Sequence, residues 1–142
     1  MSDQDPGQVL FQFVRHWARR ADEGGEQGRL VLVCEAVHAL GRRGTPATVN
    51  AIAHEIGIDQ SGASRLIKSA TAAGYLATVA ASADGRRREA SLSPAGRAML
   101  DQAHLWQEDI FAQLTTGWSD KKRRDFQRAM TDLMERSYVM EA

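Results

Sequence analysis

A single cysteine, Cys34, stands among the 142 residues, which excludes an internal disulfide framework and any metal site built from thiolates alone. Long apolar runs are missing too. The longest, Leu30 to Cys34, is far too short to cross a bilayer, so no membrane partner is expected. Neither sign of charge is in excess, because 18 Lys and Arg balance 18 Asp and Glu. Overall charge therefore points to no polyanion, and charge has to be read locally. The opening MSDQDPG has neither a basic start nor an apolar stretch, which predicts a cytoplasmic chain.

Catalytic patterns are equally scarce. The sequence has no GxSxG, no Ser/His/Asp ordering, no phosphate-cradling glycine loop and no convincing pair of carboxylates, so an enzyme is not expected. His16, His38, His54 and His104 are scattered, no two of them four apart, and neither a metal nor a cofactor is expected. What the chain does have is a globular composition, 43% hydrophobic and 25% charged, of the size of one domain.

Apolar residues recur at helical spacing from about Gln8 to Asp22 and again from about Gln27 to Leu40. In the second stretch Leu30, Val33, Cys34, Val37 and Leu40 form the stripe, and Val31, Leu32 and Ala36 widen it enough to predict burial on more than one side. The segment from Gly41 to Gly44 is expected to end that helix. Later, Ser93-Pro94 opens a long helix to about Thr116, and Ser119 caps a last one carrying Phe126, Met130, Leu133 and Tyr138. The terminal helices leave apolar stripes that a second copy of the chain would cover.

Between these pairs lies a helix-turn-helix. Thr48 can cap a short helix with Val49, Ile52, Ala53 and Ile56 on its apolar face. Gly57 supplies the turn, and Asp59 caps a second helix running to about Ala73. Ile52, Ile56 and Ile58 anchor the first helix, and Ala63, Leu66, Ile67 and Ala70 hold the second from inside. Gln60, Ser61, Gly62, Ser64, Arg65, Lys68 and Ser69 are left outward. That face is polar and basic, with no carboxylate after the Asp59 cap, whereas a merely solvated face mixes both signs. Short hydroxyls, Gln and Arg at the start of a helix suit base edges and phosphates in a major groove.

The character changes at Tyr75. YLATVAA and REASL flank Asp84-Gly85, a strong hairpin-turn signal, and Arg86, Arg87 and Arg88 crowd its tip. Three adjacent guanidiniums repel one another unless an anion lies among them, and a phosphate backbone or narrow minor groove is the natural anion. Asp84 can brace the loop or one arginine. From residue 60 to 88 the cations Arg65, Lys68, Arg86, Arg87 and Arg88 face only Asp84, so a basic patch exists within a neutral chain.

With these residues the chain resembles the MarR family of winged helix-turn-helix transcriptional regulators, from about Gln8 to Tyr138. The most specific matches are Asp84-x-Arg86 and Leu92-Ser93-x-x-Gly96, with Ser where Thr is common; Ser61, Ser64-Arg65-Leu66 and Gly74-Tyr75-Leu76 fit the recognition helix and its exit. The resemblance implies a mainly α fold with a β-hairpin wing, in which 45–92 is the DNA-binding lobe and 8–44 with 93–140 a helical dimerisation region. It implies a repressor, a homodimer on a pseudo-palindromic site in double-stranded DNA, Arg86 in the minor groove, and relief of binding by a small aromatic or lipophilic effector or an oxidant. One departure is visible: Leu76 to Ala81 lacks the basic residues common in that strand, so the wing leans on Arg86 to Arg88.

Trp17 and His38 are the candidates for an effector pocket, although the apolar stripe under Trp17 equally suits core or dimer packing. Cys34 sits between Val33 and Val37 with no neighbouring cation, which predicts an inert, buried thiol. The competing functional reading is a winged-helix protein-interaction module without DNA binding; a metal-responsive repressor would need a Cys/His cluster that the sequence lacks.

Overall fold

The structure, a computed structural model, describes residues 3–22, 24–80 and 88–141; Asp84, Arg86 and Arg87 of the expected wing tip lie outside the described residues. The chain divides into two compact units, residues 1–103 and 104–142.

In the first unit, α1 (Pro6–Asp22) begins at Pro6, whose missing N–H costs nothing in the first helical turn. The second helix, α2 (Gly25–Arg42), ends within the expected Gly41 to Gly44 segment, with Gly41 still helical. A glycine inside a helix costs only about 1 kcal/mol. The stop is Gly44, at φ +70°, where the Thr45 amide donates back to the Leu40 carbonyl at 2.9 Å and the Gly44 amide to Gly41 at 3.1 Å.

The helix-turn-helix follows its local signals closely. In α3 (Val49–Ile56) the Thr48 hydroxyl accepts from the Ala51 amide at 3.2 Å, and Gly57, at φ +83°, closes the helix in the left-handed conformation. In α4 (Gln60–Ala72) the Asp59 carboxylate accepts from the Gly62 amide at 3.0 Å. β1 (Leu76–Ala80) then pairs antiparallel with β2 (Arg88–Leu92), Leu76 opposite Leu92 and Ala80 opposite Arg88. On the other edge of β2, the Ala90 amide donates to the Ala47 carbonyl at 2.9 Å, so the segment before α3 is laced to the wing.

α5 (Pro94–Leu114) starts from Ser93, whose hydroxyl donates to the Gly74 carbonyl and accepts from the Gly96 amide at 3.0 Å. The core of this unit is built around α2: Leu30, Val33, Cys34, Ala36, Val37 and Leu40 meet Ile52 of α3, Ala63, Ile67 and Ala70 of α4, Leu76 of β1 and Leu100 of α5. Full burial of one such branched side chain is worth about 1.5–3 kcal/mol. The widened stripe on α2 holds only in part, for Ala36 is buried while Leu32 is 47% exposed. Ile58, expected as an anchor, is 37% exposed.

The second unit comprises the end of α5, the turn at Gly117 and α6 (Asp120–Glu141), with Ser119 accepting from the Lys122 amide at 3.1 Å. Phe111 stacks on Phe126 at 5.8 Å, Trp118 meets Phe126 edge-on at 5.9 Å, and Lys122 lies over the Trp118 ring at 4.2 Å. Large apolar side chains stay exposed in both units: Phe11 and Phe13 on α1, and Leu105, Leu133 and Met140 in the second. No helix among the described residues is long and apolar enough to cross a membrane.

Candidate nucleic-acid interface

Burying Ala63, Ile67 and Ala70 fixes which way α4 faces. With that side against the core, Gln60, Ser61, Arg65, Lys68 and Ser69 are exposed, and Ser64 and Gly62 are half-buried. Gly62 thus has a local structural role as well: its amide holds the Asp59 cap, and a Cβ there would come within 2.6 Å of the Asp59 carboxylate oxygen.

Pairing of β2 with β1 brings the wing to α4. A groove of about 480 Å³ runs between them, floored by Ala47, Val49, Ile67 and Ala90 and edged by Ser64, Lys68, Thr71, Thr78 and Arg88. Lys68 of the helix and Arg88 of the wing therefore border one surface, twenty residues apart in sequence. Arg88 is exposed at the start of β2. Thr71 and Thr78 carry no sequence signal for this position, since only the packing of β1 beside α4 puts them there.

A second cleft, of about 450 Å³, lies between the end of α2, the Thr45–Ala47 segment, β2 and the start of α5. Its polar groups come from His38, Arg42, Thr45, Glu89, Ser91 and Arg97. His38 is thus placed in a cavity, but Trp17 is not among the lining residues. The Trp17 ring meets Phe13 at 6.3 Å and His16 at 5.4 Å, with the Arg20 guanidinium 5.5 Å from its centre, all on α1. Arg42 and Arg97 escape sequence reasoning, because neither has a neighbour in sequence that marks a cavity.

Cys34 is fully buried, and that burial, with Glu35 beside it, pushes its thiol up to about 11. Among the described residues there is no group of three His, Cys, Asp or Glu able to hold a metal ion.

The basic face of α4, its Asp-capped start and β1 beside it fall within a family match: the model of the MarR family matches residues 32–87. Residues 32–87 are a MarR-family segment. They take in α2 from Leu32, the helix-turn-helix and β1, and the architecture is the MarR winged-helix fold. Solved structures agree on that fold. A MarR family transcriptional regulator from Silicibacter pomeroyi superposes with a TM-score of 0.66 at 18% identity, over 94% of this chain and 90% of the other. A point mutant of Staphylococcus aureus MepR bound to an oligodeoxyribonucleotide gives 0.59 at 16%, over 93% and 98%. BpsR of Bordetella bronchiseptica, whose DNA binding is regulated by 6-hydroxynicotinic acid, gives 0.58 at 19%, over 89% and 98%. No curated protein matches the sequence.

Proposed function

We propose that this chain is a double-stranded-DNA-binding transcriptional regulator, a repressor acting as a homodimer on a pseudo-palindromic operator. The observation that carries the reading is the shared border of Lys68 and Arg88, which extends the carboxylate-free face of α4 onto the wing. Gln60, Ser61, Gly62, Ser64, Arg65 and Lys68 enter the major groove, Arg86, Arg87 and Arg88 hold the backbone or minor groove, and Asp84 braces the wing. MepR carrying an oligodeoxyribonucleotide on the same fold supports it.

Residues 45–92 form the DNA-binding lobe, and residues 8–44 and 93–140 the dimerisation region. The exposed Phe11, Phe13, Leu133 and Met140 support a second copy as the cover for the terminal helices. Two recognition helices about a two-fold axis would reach half-sites about one helical turn apart.

An effector binds in the His38 cleft. Arg42 and Arg97 outnumber Glu89 in its lining, so the cleft favours an aromatic acid over a neutral lipophile, because a carboxylate there finds a cationic partner. The regulation of BpsR by 6-hydroxynicotinic acid supports that chemistry.

Fluorescence anisotropy with labelled duplexes across a salt series tests the reading. Affinity should fall by about 10³–10⁵ between 50 and 200 mM salt if six to ten phosphates are contacted. A chain that binds no duplex even in dilute buffer would leave the protein-interaction module as the function.

A further inference from the structure

Arg43 and Glu55 lie twelve residues apart and form an ion pair. Arg43 Nη1 donates to Glu55 Oε1 at 3.2 Å and Nη2 to Oε2 at 2.5 Å, a two-point grip with the side chains 30% and 18% exposed. Arg43 is the residue that ends α2, and Glu55 stands in the last turn of α3.

That position has a consequence for α4. α3 is only eight residues long, and its last turn passes through Gly57 and Ile58 straight into Asp59, the cap of α4. The core holds α3 through Ile52 and Ala53 with Ile56 packed against it, whereas Ile58, beyond the helix, is 37% exposed. Glu55, held at two points, adds a side-chain restraint to the backbone bonds of Gly57 and Ile58 to Ala53, where the direction of α4 is set. Neither Arg43 nor Glu55 lines the groove between α4 and the wing. A partly exposed pair contributes little to folding stability. Orientation is what it can supply.

The segment beyond Arg43 reinforces this. Ala47, four residues on, accepts the Ala90 amide and so ties the same strap to β2. Residues 43–47 therefore tie the end of α2 to α3, which leads into α4, and to the wing.

We propose that Arg43 is a positioning residue for DNA recognition, which through Glu55 sets the angle at which α4 meets the duplex. This rests on the DNA-binding reading. The test uses the full chain and a short duplex selected by the wild type from a random-sequence pool, with affinity measured across a salt series. Arg43→Gln weakens binding about tenfold while the slope of log affinity against log salt stays that of the wild type, because no phosphate contact is lost. Arg43→Lys, a point charge that cannot span both oxygens, falls between. The exchange of Arg43→Glu with Glu55→Arg restores most of the affinity, and keeps the test decisive if a single variant folds poorly.

A slope reduced by about one in Arg43→Gln would make Arg43 a phosphate contact and overturn the proposal. Unchanged affinity in Arg43→Gln, or no recovery in the folded exchange variant, would overturn it as well. Failure of the wild type to enrich any duplex would instead remove the DNA-binding reading and the proposal with it.

Discussion

The Tyr75 carbonyl lies against Gly96 so closely that a Cβ on residue 96 would collide with it. The same carbonyl accepts the Ser93 amide at 3.0 Å, so the exit of α4, the base of the wing and the first turn of α5 meet at one point. The collision is with backbone, which cannot rotate away. Gly96→Ala should cost about 2 kcal/mol and lower the melting temperature by roughly 5–10 °C. Calorimetry on the two proteins checks it, and an unchanged transition would mean that the contact relaxes freely.

Removing the cap of α4 is a smaller change at a more exposed place. Asp59→Ala frees the Gly62 amide and should cost about 1 kcal/mol, measured by urea denaturation. Asp59→Asn, which keeps an acceptor, should lose far less. Equal losses in both would show that charge at the helix start, not the hydrogen bond, matters there.

Cys34 should resist alkylation at neutral pH in the folded protein and react readily once denatured, since burial holds its thiol at about 11 rather than 9.0. The folded state favours the protonated thiol, so the stability it contributes is complete below pH 9.0 and is lost as pH rises through about 11. Cys34→Ala should show a shallower decline in that window. Fast labelling of the native chain would contradict the buried, uncharged thiol.

Arg65 and Ser64 should differ from Arg88 in what they contribute. Arg65→Ala or Ser64→Ala should cost about 1–3 kcal/mol for the selected duplex and relax its preference at one position. Arg88→Ala should weaken all duplexes alike and reduce the salt slope by about one. The distinction is read by competing selected against scrambled DNA. If Arg65→Ala weakens both equally, Arg65 holds a phosphate.

Aromatic acids titrated against the protein–duplex complex should release DNA, and Arg97→Ala should blunt the response without altering binding in their absence. The coupling expected of such an effector is about 1–3 kcal/mol. Release that persists undiminished in Arg97→Ala would place the acid elsewhere.

Features set by neighbours in sequence were legible, and those set by packing were not. Thr48, Gly57, Asp59 and Ser93 announced themselves because a cap or a left-handed stop is decided within a few residues. The end of α2 was legible in the same way, since the helix stops within the Gly41 to Gly44 segment and the backbone turns at Gly44. The Arg43–Glu55 grip, the Ala47–Ala90 bond and the placing of Thr71, Thr78, Arg42 and Arg97 in cavities all depend on how α2, α3 and the hairpin lie together. No spacing rule reaches that far. At the site, the outward face of α4 was readable from helical periodicity, while the absence of Trp17 from the cleft that His38 lines was not, because only the packing decides which elements border it.

Because β2 is bonded along β1 and, through the Ala90 amide, also to the Ala47 carbonyl, it is held from both sides. Arg88 at its head is consequently mounted on a stiff bracket, not on a whip. A cation delivered that way surrenders little freedom when an anion captures it, so the grip costs less entropy than the same charge on a loose loop.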